Sequence, residues 1–433
     1  MVRIWARKPV RLAKQGRRML DATAHFEAVR DHLPGDGQVL QARKSALARA
    51  EQSGLPTRRD ENWHYTDLAR LLKQSDAAPV RANSFDASAL APLQIVFENG
   101  ALINDPASDD CLSVDSLAHA LGSGAHRHED DVSDNDMAAF NFAMAQDGVV
   151  MTINATPTRA LELVTRGDEA AHLRHTIKVE SGTVTLIENL QAGGYTNAVL
   201  DADVAAGARL LLVRVQTAGH HIGLTRVNLQ GGGAYCAATF VTGGNLARHE
   251  THIRLLGEGA RADVHGAILG HGTMHADMTS HLHHETANTD SLTTLHAVLD
   301  DAAQGVFQGK VVVARNAQHV DAQQQSRAMM LSERAHMSAK PELEIYADDV
   351  ACAHGAALGE LDADALFFLR SRGIDEAAAR HMLISGFLAA PLTHIEDEDL
   401  RACVAAHLGA HVPDGGHGGR NGGEAINAEL ADV

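Results

Sequence analysis

Cysteine is nearly missing from this chain: four occur in 433 residues. So few exclude a disulfide-stapled scaffold and fit a reducing compartment. No Cys-x-x-Cys pair occurs, which excludes a dithiol centre or a zinc ribbon. Aromatic residues are scarce at 4%, with two Trp. Basic residues are outnumbered, 37 against 55 acidic. The resulting net charge of −18 makes the chain a poor binder of nucleic acid or anionic membrane. No apolar run reaches about 18 residues, so no transmembrane helix is expected. P-loop, HExxH, GxSxG and strand-to-helix GxGxxG motifs are all missing.

What is there is globular. Hydrophobic residues make 45% of the chain and charged residues 21%, so global disorder is excluded. The length suits two or three domains, or one large β body with smaller units. Charge is uneven. Residues 1–20 hold seven basic residues and no acid. They read as a disordered basic extension from an upstream start, with an organellar presequence as the alternative. The other outlier is histidine, at 27 residues.

Hydrophobic period divides the rest. Residues 21–92 read as an N-terminal helical domain. Phe26, Val29 and Leu33 share a helix face within Ala22–His32, and a second helix runs over Gln41–Ser53 to Gly54. Residues 76–92 read as a polar linker. Residues 93–148 are mixed, with a short apolar run before the Asn99-Gly100 turn signal. From 149 to 361 the pattern is β: about fifteen short runs, from Val149–Ile153 to Pro341–Ala347, separated by Gly-rich turns. The connections are too short for crossover helices. A sandwich, barrel, propeller or solenoid all remain open; the 12–15-residue spacing allows two strands per solenoid coil. Residues 362–410 return to helices: Asp362–Ser371, then Glu376–Leu388 after Gly373 and the cap Asp375, then Glu396–Leu408. The tail 411–433 reads as disordered.

Two places could carry chemistry. In Cys352-Ala353-His354 on an extended segment, the thiol and the imidazole share a face. Both suit iron or zinc, and the imidazole can lower the thiol pKa. Two ligands leave a tetrahedral site incomplete, so the rest must come from elsewhere or from a partner. The second place is residues 249–296, with His249, His252, His265, His271, His275, His281, His283, His284 and His296. Its plain reading is a solvent-facing β surface. Cys111, Cys236 and Cys403 stand alone and read as small core residues.

At residues 341–387, PELEIYADDVACAHGAALGELDADALFFLRSRGIDEAAARHMLISGF, the chain resembles the C-terminal signature of the SufB/SufD family of iron–sulfur cluster assembly scaffolds. The Cys-x-His-Gly-Ala and Phe-Leu-Arg-Ser-Arg-Gly-Ile elements are closer to its SufD branch. Residues 54–68, GLPTRRDENWHYTDL, and 301–318, DAAQGVFQGKVVVARNAQ, resemble two further family elements.

The resemblance implies a mainly β fold: a right-handed parallel β-helix core flanked by N- and C-terminal α-helical domains. It implies a cytoplasmic scaffold rather than an enzyme. SufB would be the partner through the β-helix, and the SufC ATPase would dock on the C-terminal helices. Sulfur would reach SufB from sulfur-transfer proteins. Cys352 and His354 would then sit at the heterodimer interface and hold a nascent iron–sulfur cluster shared with SufB, or iron. His354 would be the ligand and Cys352 the assisting or redox-sensitive thiol. Flavin binding stays open. Leu366, Phe367, Leu369, Arg370, Arg372, Ile374, Met382 and Phe387 would form the SufC-binding helix pair. The sulfur-accepting Cys of SufB is matched here by Ser326, which speaks against a SufB-like role. A β-helix enzyme acting on carbohydrate is the other alternative, and the few aromatics speak against it.

Overall fold

The computed structural model describes residues 26–27, 29–73, 82–104, 108–124 and 136–412. The expected basic extension 1–20 and nearly all of the expected tail 411–433 lie outside these residues. The fold is mainly β. Strands β4 (Val149–Ile153) to β19 (Ala351–Glu360) alternate between a ten-stranded and a nine-stranded sheet. Within this run, neighbours in each sheet are two apart in sequence and parallel. Two strands therefore make one coil of a parallel β-solenoid. Among the four architectures that the strand pattern left open, this is the solenoid.

Period-2 alternation builds the core, because successive side chains point to opposite faces. On β17 (Asp321–Met330), Ala322, Gln324, Ser326 and Ala328 are buried, while Asp321, Gln323, Gln325 and Arg327 are exposed. Inward residues stack in register from coil to coil. Val227, Ile253, Leu282 and Val311 form one such row, none more than 1% exposed. Each such side chain contributes about 1.5–3 kcal/mol. Glycine works at the corners. Gly232 and Gly259 adopt positive φ at equivalent bends, and Asn288 and His319 follow them with φ of 56° and 58°. Backbone bonds stack this lane: Gly259 N–H to Asn288 O at 2.9 Å and Asn288 N–H to Gln318 O at 2.9 Å.

The two ends of the solenoid differ. At the start, β2 (Ala101–Leu102) pairs antiparallel with the strand Leu93–Glu98 and finishes the ten-stranded sheet, and β3 (Leu112–Ser116) pairs antiparallel with β4 and finishes the nine-stranded one. At the finish, β18 (His336–Ile345) and β19 are paired on one side only.

Helices cover each outer face. Helix α1 (Gly37–Ser53), capped by Asp36, begins four residues earlier than its apolar pattern suggested. With α2 (Leu68–Lys73) and α4 (Asp136–Met144) it packs over Tyr195, Ile222 and Leu246 of the nine-stranded sheet. Arg43 of α1 is buried and donates to Phe142 O (2.9 Å) and Pro34 O (3.1 Å). The short α3 (Leu117–Ser123) follows β3. On the other side, α6 (Glu376–Ala389) and α7 (Glu398–Gly409) bring Ile384, Leu388, Leu400 and Val404 onto Val213, Phe240 and Val298 of the ten-stranded sheet, while α5 (Ala363–Ser371), which precedes them, buries no side chain. The described part of the expected linker is packed too. Ala82 N–H bonds Thr217 O at 2.9 Å, and Phe85 is 2% exposed.

These layers correct the reading of the His-rich stretch. Four of its nine histidines are closed off from solvent, His249, His265, His275 and His284 at no more than 2% exposure, and the other five are partly buried. His249 and His284 point into the lumen, and His275 and His265 lie beneath the added layers. Among the described residues no helix is long and apolar enough to cross a membrane.

Candidate functional site

Register places the two singled-out residues. Cys352 pairs with Ala322 and His354 with Gln324, both buried on the lumen side of β17. Cys352, His354, Ala356 and Leu358 therefore share the lumen-facing side of the last strand. No further strand covers them. His354 is exposed, Cys352 is half-buried against the core, and Leu358 is 59% exposed. The other face of β19 carries only Ala351, Ala353, Gly355, Ala357 and Gly359. Ile345, the last residue of β18, and Tyr346 just after it add two more exposed hydrophobic side chains.

The thiol is not activated by its neighbour. Burial pushes Cys352 up, a backbone hydrogen bond with Ala322 pulls it down, and Asp321 raises it again. The expected lowering by an imidazole does not operate here. Among the described residues no three His, Cys, Asp or Glu side chains converge to hold a metal. Cys352 and His354 thus present two donors on an open edge. Ser326 lies inside the lumen at 1% exposure, and its hydroxyl has no hydrogen-bond partner. All four cysteines are unpaired. Cys111, Cys236 and Cys403 are half-buried rather than fully enclosed.

The C-terminal helix pair has a packed side and a bare side. Asp362 caps α5 and Asp375 caps α6. Gly373, at φ 87°, makes the turn between them. Phe367 is 74% exposed, and Phe368 and Met382 are more than half exposed. Arg370 and Arg372 flank them, with the Arg372 guanidinium 3.4 Å from the Phe368 ring centroid. Leu366, Leu369 and Ile374 are half-buried within the hairpin. Phe387 turns the other way and meets the His296 ring edge-on at 5.1 Å. Sequence reading passed over Phe368, the most direct neighbour of Phe367 on the bare side.

The Trp63-His64-Tyr65-Thr66 element is a seal on the outer face of the nine-stranded sheet. The Arg248 guanidinium lies 3.9 Å from the Trp63 ring centroid and bonds Asn62 O (2.9 Å), Glu250 (2.7 Å) and Asp277. The Thr66 hydroxyl donates to Asp277, and His275 Nε2 lies 2.8 Å from that hydroxyl oxygen of Thr66. Nothing in the local sequence pattern signals this node, because its members lie about 200 residues apart.

Comparison with known proteins agrees with the geometry. The family described as SUF system FeS cluster assembly, SufBD core domain, matches residues 163–387. The iron–sulfur cluster assembly protein SufD of Escherichia coli is 28% identical over 391 residues, covering 85% of this chain and 92% of that protein. A SufBD family protein of Synechocystis is 28% identical over 415 residues, covering 86% and 91%. SufD of Bacillus subtilis is 38% identical over 106 residues, 24% of each chain. With more than half its length matched to the core domain, the chain belongs to the SufB/SufD family of iron–sulfur cluster assembly proteins and is SufD-like.

Proposed function

We propose that this chain is the SufD-type half of a scaffold on which a nascent iron–sulfur cluster is built. It pairs with SufB through the open end of the solenoid. The observation that carries this is the last strand. β19 is ten residues long, unpaired along one edge, and free of Lys and Pro. Soluble proteins blunt such edges unless something covers them. A partner strand would satisfy the unpaired backbone groups, and the small residues on the outer face would let it approach closely.

Docking there places Cys352 and His354 in the seam, where a partner supplies the missing donors. His354 is the iron ligand and Cys352 the assisting, redox-sensitive thiol. The cluster is cargo, held in transit. The bare side of α5 and α6, centred on Phe367, Phe368 and Met382 with Arg370 and Arg372, docks the SufC ATPase. Phe387 contributes by holding α6 to the solenoid. ATP-driven closure of two SufC subunits would pull on this pair and open the seam. The solenoid winds right-handed, the expected sense for parallel strands with short connections. The helical layers act as N- and C-terminal domains, and the protein works in the cytoplasm.

Co-expression with SufB and SufC tests the reading. The three should co-purify at moderate salt; failure to do so would sink it. His354→Ala should leave the complex assembled and lower its iron and acid-labile sulfide after anaerobic purification.

A further inference from the structure

We infer that the lumen of the solenoid is a binding site for one water molecule, held between Ser280 of β14 (His275–His284) and Thr293 of β15 (Asp290–Leu299). These are consecutive strands in opposite sheets, so the water bridges the two walls of one coil. Both side chains face inward. Ser280 stands two residues before Leu282 of the inward row, and Thr293 is the register partner of the buried Gln324. The site is independent of the open end of the solenoid and of the C-terminal helix pair.

A cavity of about 10 Å³ lies in this part of the lumen. A single water needs about that much space. Thr239, Thr251, Ser280 and Thr293 line it, together with the apolar Met278 and Phe307, and all six are at most 8% exposed. Thr251 is the register partner of Ser280, so two hydroxyl residues are stacked on the same sheet. No Asp, Glu, Lys or Arg lines the cavity, so an ion would find no counter-charge there.

Two of these hydroxyls have no partner in the protein. Ser280 Oγ and Thr293 Oγ1 are both enclosed, and neither makes a hydrogen bond within the chain. A buried hydroxyl without a partner is unfavourable, and a small cavity that serves two of them is where a water stays. Each hydroxyl can donate to the water oxygen or accept one of its protons. His249 is also on the wall, but its ring is turned elsewhere. Its Nε2 lies 2.8 Å from Gln216 Oε1, and its Nδ1 lies toward Gly223, where a Cβ would stand 3.5 Å away. The hydroxyls, not the imidazole, hold the water.

The test is a crystal structure of the full chain at a resolution that shows ordered water, for wild type and for the double variant Ser280→Ala with Thr293→Val. The variant removes both hydroxyls and nearly keeps the side-chain shapes. Wild type should show one peak within about 2.5–3.0 Å of both hydroxyl oxygens. The variant should lose it. A wild-type cavity without the peak, or a peak that persists at full occupancy in the variant, overturns the proposal.

Oxygen-17 magnetic relaxation dispersion gives a second readout, in solution. It counts waters that stay inside the protein far longer than surface water does. Wild type should hold one such water more than the double variant, and equal counts overturn the proposal. If the double variant does not fold, Thr293→Val alone carries the test. It removes one of the two bonds, so the peak should weaken or shift toward Ser280. A peak unmoved and at full occupancy in Thr293→Val would show that Thr293 does not hold the water and would overturn the bridge.

Discussion

The two helical layers grip the same solenoid by different chemistry. The N-terminal layer is held by an ionic node and the C-terminal layer by aliphatic side chains and neutral imidazoles. In the node, burial alone would lower the Arg248 pKa, but Asp277 and Glu250 hold it above its usual range. Burial likewise raises Glu250, yet Arg248 and His252 outweigh it and keep the carboxylate well below its usual range. On the other face, His265 stacks on His394 with ring centroids 3.6 Å apart. His407 lies 2.9 Å from the Thr242 hydroxyl, and Phe387 covers His296. One face is directional and intolerant of losing a charge. The other is broad, apolar and sensitive to gaining one.

The largest expected effect breaks the first grip. Arg248→Ala leaves Asp277 and Glu250 buried without their cation, which costs about 3–5 kcal/mol. Denaturant unfolding should show the loss. Amide exchange should rise over 61–73 and stay low over 376–409. Equal opening of both segments would mean that the layers are not separately held. Leu388→Ala is the counterpart on the other face. The side chain is fully buried between α6 and the sheet, and its truncation should cost about 2–5 kcal/mol. Here exchange should rise over 376–409 and spare 61–73.

Acid sharpens the contrast. Burial, then His394, pushes His265 down to about 3. Burial, then His411, pushes His407 down to about 4. Burial, then Arg327, pushes His296 down to about 4. Released, each would titrate near 6.5, so the undocked state binds more protons at mildly acid pH. Docking is then fully stable above about pH 6.5 and weakens as pH falls toward 4. The fully enclosed His265 alone should cost about 1 kcal/mol by pH 5.5. The N-terminal face also buries neutral imidazoles, at His220 and His275. Its Arg248–Glu250 pair, however, persists, because Arg248 and His252 hold the Glu250 carboxylate well below its usual range. Exchange measured between pH 7 and 5 should therefore open α6 and α7 before α2. The reverse order would contradict the assignment of the two grips.

How legible was this in the sequence? The strands were, because one buried face imposes period 2, as on β17. The repeat was not. The in-register residues Leu210, Tyr235, Ala262, Ser291 and Ala322 are spaced by 25, 27, 29 and 31, so the coils lengthen and no fixed period survives. The histidines misled for a physical reason. Strands such as β12 (Leu246–Leu255) and β14 (His275–His284) are covered on both faces, so polar residues at outward positions look exposed in the pattern while helices bury them. Cys352 and His354 were visible because two residues at i and i+2 need only a strand to share a face.

The smallest expected effect on stability concerns the side of the C-terminal layer that touches nothing. Phe367→Ala removes a ring that is 74% exposed, so it leaves no cavity and orphans no polar group. Stability should stay within about 0.5 kcal/mol of wild type. The exchange pattern of both layers should not move. A partner surface predicts a different loss, since an exposed aromatic beside arginines is the kind of residue on which binding energy concentrates. SufC should co-purify far less with Phe367→Ala, while SufB is retained. A folded variant that keeps both partners would show that the bare face of α5 is not where the ATPase grips. A variant that loses SufC and also destabilises the chain would show that Phe367 supports the hairpin rather than the partner.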